Sequence, residues 1–135
     1  MAIEFLNEKT YVDQAESVLN KLTQKIEKNG KWVTPQIVTT SKIRNILSMA
    51  ADIYDSVLQN KEEQLSDEIV SRIEYLRVRM IYECGREQTV KDFVFAAGLL
   101  DYIKMIGNDK KKYILFYHYL EALVAFHKFK GGKEN

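Results

Sequence analysis

The chain predicts an all-α fold, a single-domain bundle of about five helices, and three observations carry that expectation. Proline occurs once in 135 residues. Leu, Ile, Lys and Glu, which sit in helices at little cost, recur throughout. Apolar residues return at i, i+3, i+4 and i+7 in five stretches opened or closed by Thr, Ser, Asn or Gly. The length suffices to bury a core without staples, and the single Cys84 allows no internal disulfide.

The first helix opens at Thr10 as N-cap and sets Tyr11, Ala15, Val18, Leu19, Leu22 and Ile26 on one face. Asn29-Gly30 is expected to end it, with Gly30 in the left-handed cap. Lys31–Val38, holding Pro35, reads as an extended linker pinned to the core by Trp32. The second helix starts at Thr39 or Thr40 and buries Ile43, Ile46, Leu47, Ala50, Ile53, Tyr54, Val57 and Leu58. Gln59–Gln64 is polar and reads as a loop.

Ser66 caps the third helix, where Asp67 and Glu68 suit the positive end of the helix dipole. Its core face is Ile69, Ile73, Leu76, Met80 and Cys84. A break is expected from Gly85 to Gln88, with Thr89 and Asp92 opening the next helix. That fourth helix runs unbroken to Ile106 and is apolar almost all round its first turns, which places it mid-bundle. Gly107-Asn108 stops it. The fifth covers Lys111–Phe129 with Tyr113, Phe116, Tyr117, Leu120, Leu123 and Val124 on one face, ending at Gly131-Gly132 before a fraying tail.

Charge is nearly balanced, at +1 net, which argues against tight nucleic-acid binding by one copy alone. Its distribution is uneven: residues 1–60 balance, 61–100 are slightly acidic and 101–135 slightly basic. Met1–Thr10 carries Glu4 and Glu8 and does not resemble a signal peptide. The longest apolar stretch, Phe93–Leu100, is too short to cross a bilayer. A cytoplasmic location without membrane contact is the expectation.

Four of the five arginines, Arg72, Arg77, Arg79 and Arg86, fall in S-R-I-E-Y-L-R-V-R-M-I-Y-E-C-G-R-E. On a helix Arg72, Arg79 and Arg86 form one stripe, with Tyr75 and Tyr82 beside it. Guanidinium is a rigid fork that suits phosphate, carboxylate or a stacked ring, whereas lysine is a mobile point charge. An alternative stands beside that reading: Glu68–Arg72 and Glu83–Arg86 pairs would also account for these residues. Arg77 lies off the stripe and suits a protein contact. Lys42 and Arg44 sit at a helix start whose N–H groups can receive an anion. Lys110-Lys111-Lys112 is either a solvated helix start or an anion attractor. Tyr75, Tyr82, Tyr102 and Tyr119 are stacking candidates, with half-buried packing the alternative.

Chemistry of the catalytic kind finds little to stand on. His118 and Glu121 are three apart, but further ligands are lacking and His127 lies off that face, where a hydrogen-bonded packing role suits it. No paired cysteines, HExxH or Gly-rich phosphate loop occurs, and no nucleophile has a base at a telling spacing. No enzyme activity, metal or cofactor is expected.

V-T-T-S-K-I-R-N-I-L, the arginine segment from R-I-E-Y-L to G-R-E, and F-Y-H-Y-L-E-A-L-V-A-F-H-K-F-K-G-G together resemble one family. It is the small subunit of the type III-A CRISPR–Cas effector, the Csm complex. The resemblance runs from about Val38 to Gly132, so residues 1–37 read as an N-terminal helix and linker and 38–132 as the matching core. It implies a non-catalytic helical bundle that stacks on copies of itself as an inner filament. Its partners would be crRNA and target RNA, the larger backbone subunits and the signature large subunit, in antiviral defence. The matching positions are Lys42, Arg44, Arg72, Arg77, Arg79 and Arg86, with Lys128 near the third block; the family pattern by itself does not divide them between RNA and the next subunit. Helical geometry leaves Lys42, Arg44, Arg72, Arg79, Arg86 and Lys128 for RNA and turns Arg77 to a subunit interface. Two other readings differ in kind: a helical DNA-binding regulator reading through Thr40–Leu47, and a small metal hydrolase built on His118, Glu121 and His127.

Overall fold

The computed structural model describes residues 3–131. Eight elements follow in order: α1 (Tyr11–Thr23), β1 (Ile26–Lys28), β2 (Lys31–Val33), α2 (Thr40–Gln59), α3 (Asp67–Arg86), α4 (Gln88–Ala97), α5 (Leu99–Ile106) and α6 (Lys110–Phe129). The five expected helices all form, and the fourth is divided, giving six among the described residues. The fold is all-α and single-domain, with one small hairpin. The fraying tail expected beyond Gly131 lies outside the described residues.

The first departure is the hairpin. α1 stops at Thr23, whose hydroxyl donates back to the Leu19 carbonyl at 2.7 Å, and Gln24 is already extended. Ile26 therefore leaves the α1 stripe and pairs antiparallel with Val33, while Lys28 faces Lys31. Between them Asn29 (φ 54°) and Gly30 (φ 79°) both take positive φ. That is a type I′ turn, the geometry Asn-Gly favours between twisted strands. Asn-Gly is thus a hairpin turn and not a helix cap. Trp32 does not pin the segment, since 68% of it is exposed.

The local caps hold better. Thr39 Oγ1 accepts from the Lys42 N–H at 3.4 Å, and Ser66 Oγ from the Ile69 N–H at 3.3 Å. Thr10 occupies the α1 N-cap position without a side-chain cap bond. Ile69, Ile73, Leu76, Met80 and Cys84 are all buried, as are Ile43, Ile46, Ala50, Ile53 and Val57. Leu58 is exposed, and Leu47 and Tyr54 are half-buried. α3 runs through Gly85 to Arg86, so the break narrows to Glu87, which caps α4 in place of Thr89.

Gly98 divides the fourth helix, with φ 70° in the left-handed region. An unbroken helix burying Val90, Phe93, Val94 and Ala97 would next turn Asp101 inward. The break resets the phase, so Leu99, Tyr102, Ile103 and Ile106 are buried and Asp101 stays exposed. α6, rather than the fourth helix, makes the broadest contact, lying against α1, α2 and α5. It buries Tyr113, Phe116, Tyr119, Leu120, Leu123 and His127.

Polar atoms in that core are matched. The Tyr113 hydroxyl donates to the Ala50 carbonyl at 2.6 Å and Tyr119 to Ala97 at 2.7 Å. His127 Nε2 lies 2.7 Å from the Val38 carbonyl, and its Nδ1 lies 3.2 Å from Thr40 Oγ1. Unmatched polar groups in an apolar interior are costly, so these bonds fix helix register as well as stability. His127 is the packing histidine that its position implied.

Candidate nucleic-acid interface

α3 presents two different edges to solvent. Along one lie Arg72, Arg79 and Arg86, with Tyr75 and Tyr82 outside them and both rings more exposed than buried. Arg79 Cζ sits 5.2 Å from the Tyr82 ring centroid and Arg86 Cζ 5.8 Å. Both distances lie in cation–π range. The ring holds the two guanidiniums close to the helix surface, with the Arg79 and Arg86 side chains still 39% and 51% exposed.

The carboxylate alternative is also realised, in part. Glu83 accepts from Arg86 at 3.2 Å and lies 3.6 Å from Arg79. Exposed pairs of this kind contribute at most about 1 kcal/mol. Glu68 is not the partner of Arg72; Arg72 Nη1 instead donates to Ser56 Oγ on α2 at 2.7 Å. One end of the stripe thus helps clasp α3 to α2, and the other two arginines share one acid and one ring.

α2 brings further cations alongside. Lys42 Nζ is 2.6 Å from Glu87 Oε1, beside the start of α4. A cleft of about 340 Å³ between α2 and α3 is lined by Lys42, Asn45, Ser48, Arg79 and Glu83. A second, of about 440 Å³, is lined by Asp52, Ser71, Arg72 and Tyr75, and Met49 borders both. Lys42, Arg72 and Arg79 therefore lie along the same α2–α3 groove, in two clefts that adjoin at Met49. Arg44 is exposed on α2 and Lys128 on α6.

Arg77 lies on the opposite edge of α3's core stripe, 3.3 Å from Glu74. Exposed Ile81 and Val78 lie between it and the tyrosines. The remaining candidates fall elsewhere. Tyr102 and Tyr119 are buried, which removes them as stacking platforms. Lys110 Nζ bonds the Asn60 carbonyl, and Lys112 Nζ covers the Phe5 ring at 5.5 Å, so two of the three lysines there serve local structure. His118 Nε2 faces the Tyr54 hydroxyl at 3.4 Å, and His127 is committed to Val38 and Thr40. No group of three metal-ligating side chains occurs among the described residues.

Sequence reasoning missed the hairpin. Lys28, Lys31 and exposed Trp32 stand together on it. The available signal was Asn-Gly between runs containing Ile, Trp and Val.

These features define a class: a small, single-domain, all-helical protein with Lys42, Arg72 and Arg79 along an α2–α3 groove. Among its described residues no helix is long and apolar enough to cross a membrane. The type III-A Csm2 family model matches residues 16–133, which include most of α1 and the hairpin. The chain is 39% identical over 129 residues to the CRISPR system Cms protein Csm2 of Streptococcus thermophilus, covering 96% of this chain and 98% of that one. It is 37% identical over 124 residues to the protein of the same name from Mycobacterium tuberculosis strain CDC 1551 / Oshkosh, covering 92% and 94%. The Enterococcus italicus protein of that name is 37% identical over 95 residues, 68% of this chain and 67% of the relative. The chain belongs to the Csm2 family, the small subunit of the type III-A CRISPR Csm complex.

Proposed function

We propose that this subunit is a non-catalytic RNA-binding and assembly component, stacking on its own copies as an inner filament that supports the crRNA–target RNA duplex. The carrying observation is the Arg79–Tyr82–Arg86 cluster on the open edge of α3, with Lys42 and Arg72 in the adjoining groove. Held guanidiniums present forked donors to phosphate oxygens with little further ordering. Lys42, Arg44, Arg72, Arg79, Arg86 and Lys128 are the proposed RNA contacts. Glu83 and Glu87 temper the groove's charge, which suits weak, sequence-independent contact with the backbone. Arg77, with exposed Val78 and Ile81, is the proposed subunit contact, where an apolar patch beside a fork of donors fits a protein partner better than a phosphate.

Arg79→Glu/Arg86→Glu in the reconstituted complex tests the rail. Among the described residues Arg79 and Arg86 pair only with Glu83 of their own helix, whereas Arg72 bonds Ser56 on α2, so this pair separates binding from folding better than one including Arg72. Assembly is expected to survive and target-RNA affinity to fall roughly tenfold or more, since each charge is reversed rather than removed. Unchanged affinity across a salt titration sinks the rail. Failure to assemble reassigns those arginines to protein contacts.

A further inference from the structure

The β1–β2 hairpin has no evident structural task. Five of its six strand residues are exposed and Val33 is half-buried, so it adds little to the core. A two-stranded ribbon of this size is marginal by itself in water. It nevertheless holds the chain's only tryptophan out in solvent. Its charge is one-sided: residues 21–34 contain Lys21, Lys25, Lys28 and Lys31 against Glu27 alone, four minus one, or +3. Lys28 and Lys31 are direct cross-strand partners. Like charges placed so destabilise a hairpin. Among the described residues neither lysine has an ion pair, and Trp32 has no ring or cation partner.

Trp32 pairs with Glu27 across the ribbon and points to the opposite face from the lysine pair. An exposed indole on one face of a narrow ribbon and unpaired lysines on the other can hold a single nucleic-acid strand that passes over its tip: bases stack on the ring and phosphates meet the ammonium groups. An acidic protein surface would use the lysines but leave the indole's faces without a flat partner. We infer that the Ile26–Val33 hairpin is a second nucleic-acid contact, binding single-stranded RNA through Trp32, Lys28 and Lys31. It extends the RNA-binding reading to a separate surface and rests on its own residues. The adjacent positive φ values of Asn29 and Gly30 shape the tip, bringing both lysines to the same end of the ribbon.

The lone tryptophan makes the test direct. Oligouridylate is titrated into the full chain at low salt while indole emission is followed, with labelled-RNA anisotropy in parallel. Saturable quenching is expected. Lys28→Ala/Lys31→Ala should weaken it several-fold and lower the log–log salt slope by about 1.4, two phosphates' worth on a single strand. Trp32→Ala should weaken anisotropy-detected binding roughly tenfold with helical content and thermal midpoint unchanged, because the indole lies outside the core. Absence of quenching overturns the inference. So does equal quenching by polyglutamate, which would indicate an acidic protein partner, or a lysine variant that titrates like the parent. Arg79→Glu/Arg86→Glu should retain quenching at saturating RNA, so loss of the rail and loss of the hairpin site give different results.

Discussion

Tyr113 shows what one buried hydroxyl does here. It is fully buried, bonds the Ala50 carbonyl at 2.6 Å, and ties α6 to the middle of α2. Desolvation by burial, reinforced by the nearby Tyr117 phenol and eased by Arg72, pushes its pKa far above the ordinary 10.0. Tyr119 is raised in the same direction, again chiefly by burial, then by Tyr102. A raised folded-state pKa means the unfolded chain releases its protons first as pH increases. The stability these phenols contribute is therefore complete below about pH 10 and declines above it, by about 1.4 kcal/mol per pH unit for each. Thermal midpoints measured above pH 10 should fall steeply. Tyr113→Phe should flatten that decline while costing about 1 kcal/mol near neutrality. An unchanged alkaline slope in the variant would contradict this account. At this scale much was legible in the sequence. Periodicity placed Tyr113 and Phe116 inside, and spacing put Arg72, Arg79 and Arg86 on one edge. Partners across the fold were not legible, because Arg72 to Ser56 and His127 to Val38 join residues far apart in the chain.

Among the elements, the helix starts at Thr39 and Ser66 were readable because a cap is decided within four residues. Two interruptions were not. Asn-Gly serves both as a helix stop and as a type I′ turn, and only the strand pairing of Ile26 with Val33 separates the two. Gly98 sits in an apolar run that reads as one long buried helix, so local composition favours continuity. The deciding fact is the phase of Asp101, which needs the core's position to interpret. Glycine is required there on two counts: φ is 70°, and an added Cβ would lie 3.2 Å from the Tyr102 ring. Gly98→Ala should cost roughly 1–2 kcal/mol and lower the thermal midpoint by about 5 °C. Gly85→Ala should do the reverse. Gly85 is exposed in the last turns of α3 without positive φ, and nothing lies within 4 Å of its added Cβ. A gain of about 0.5–1 kcal/mol is expected there. If both variants shift the midpoint in the same direction, the backbone account of Gly98 fails.

For the whole molecule, the near-neutral net charge and the cationic groove belong together. A chain of +1 has no long-range field with which to capture a polyanion alone. In the proposed role its basic side chains would meet a strand only with the donors that carboxylates such as Glu83 and Glu87 do not engage. If the α2–α3 groove of one copy meets about three phosphates, single-strand affinity should fall with salt at a log–log slope of about −2. Several copies arrayed along one strand would share it at high effective concentration, so weak contacts would multiply into firm retention. The proposed array therefore predicts opposite outcomes in two preparations. The isolated chain should bind RNA weakly and without sequence preference, the groove contributing a slope of about −2 and the hairpin about −1.4 more. The assembled complex should bind tightly, and Arg79→Glu/Arg86→Glu in every copy should reduce its affinity by far more than in the isolated chain, because the loss recurs at each subunit. Equal fold-losses in chain and complex would mean that the groove does not act in series, and the filament reading would fall with it.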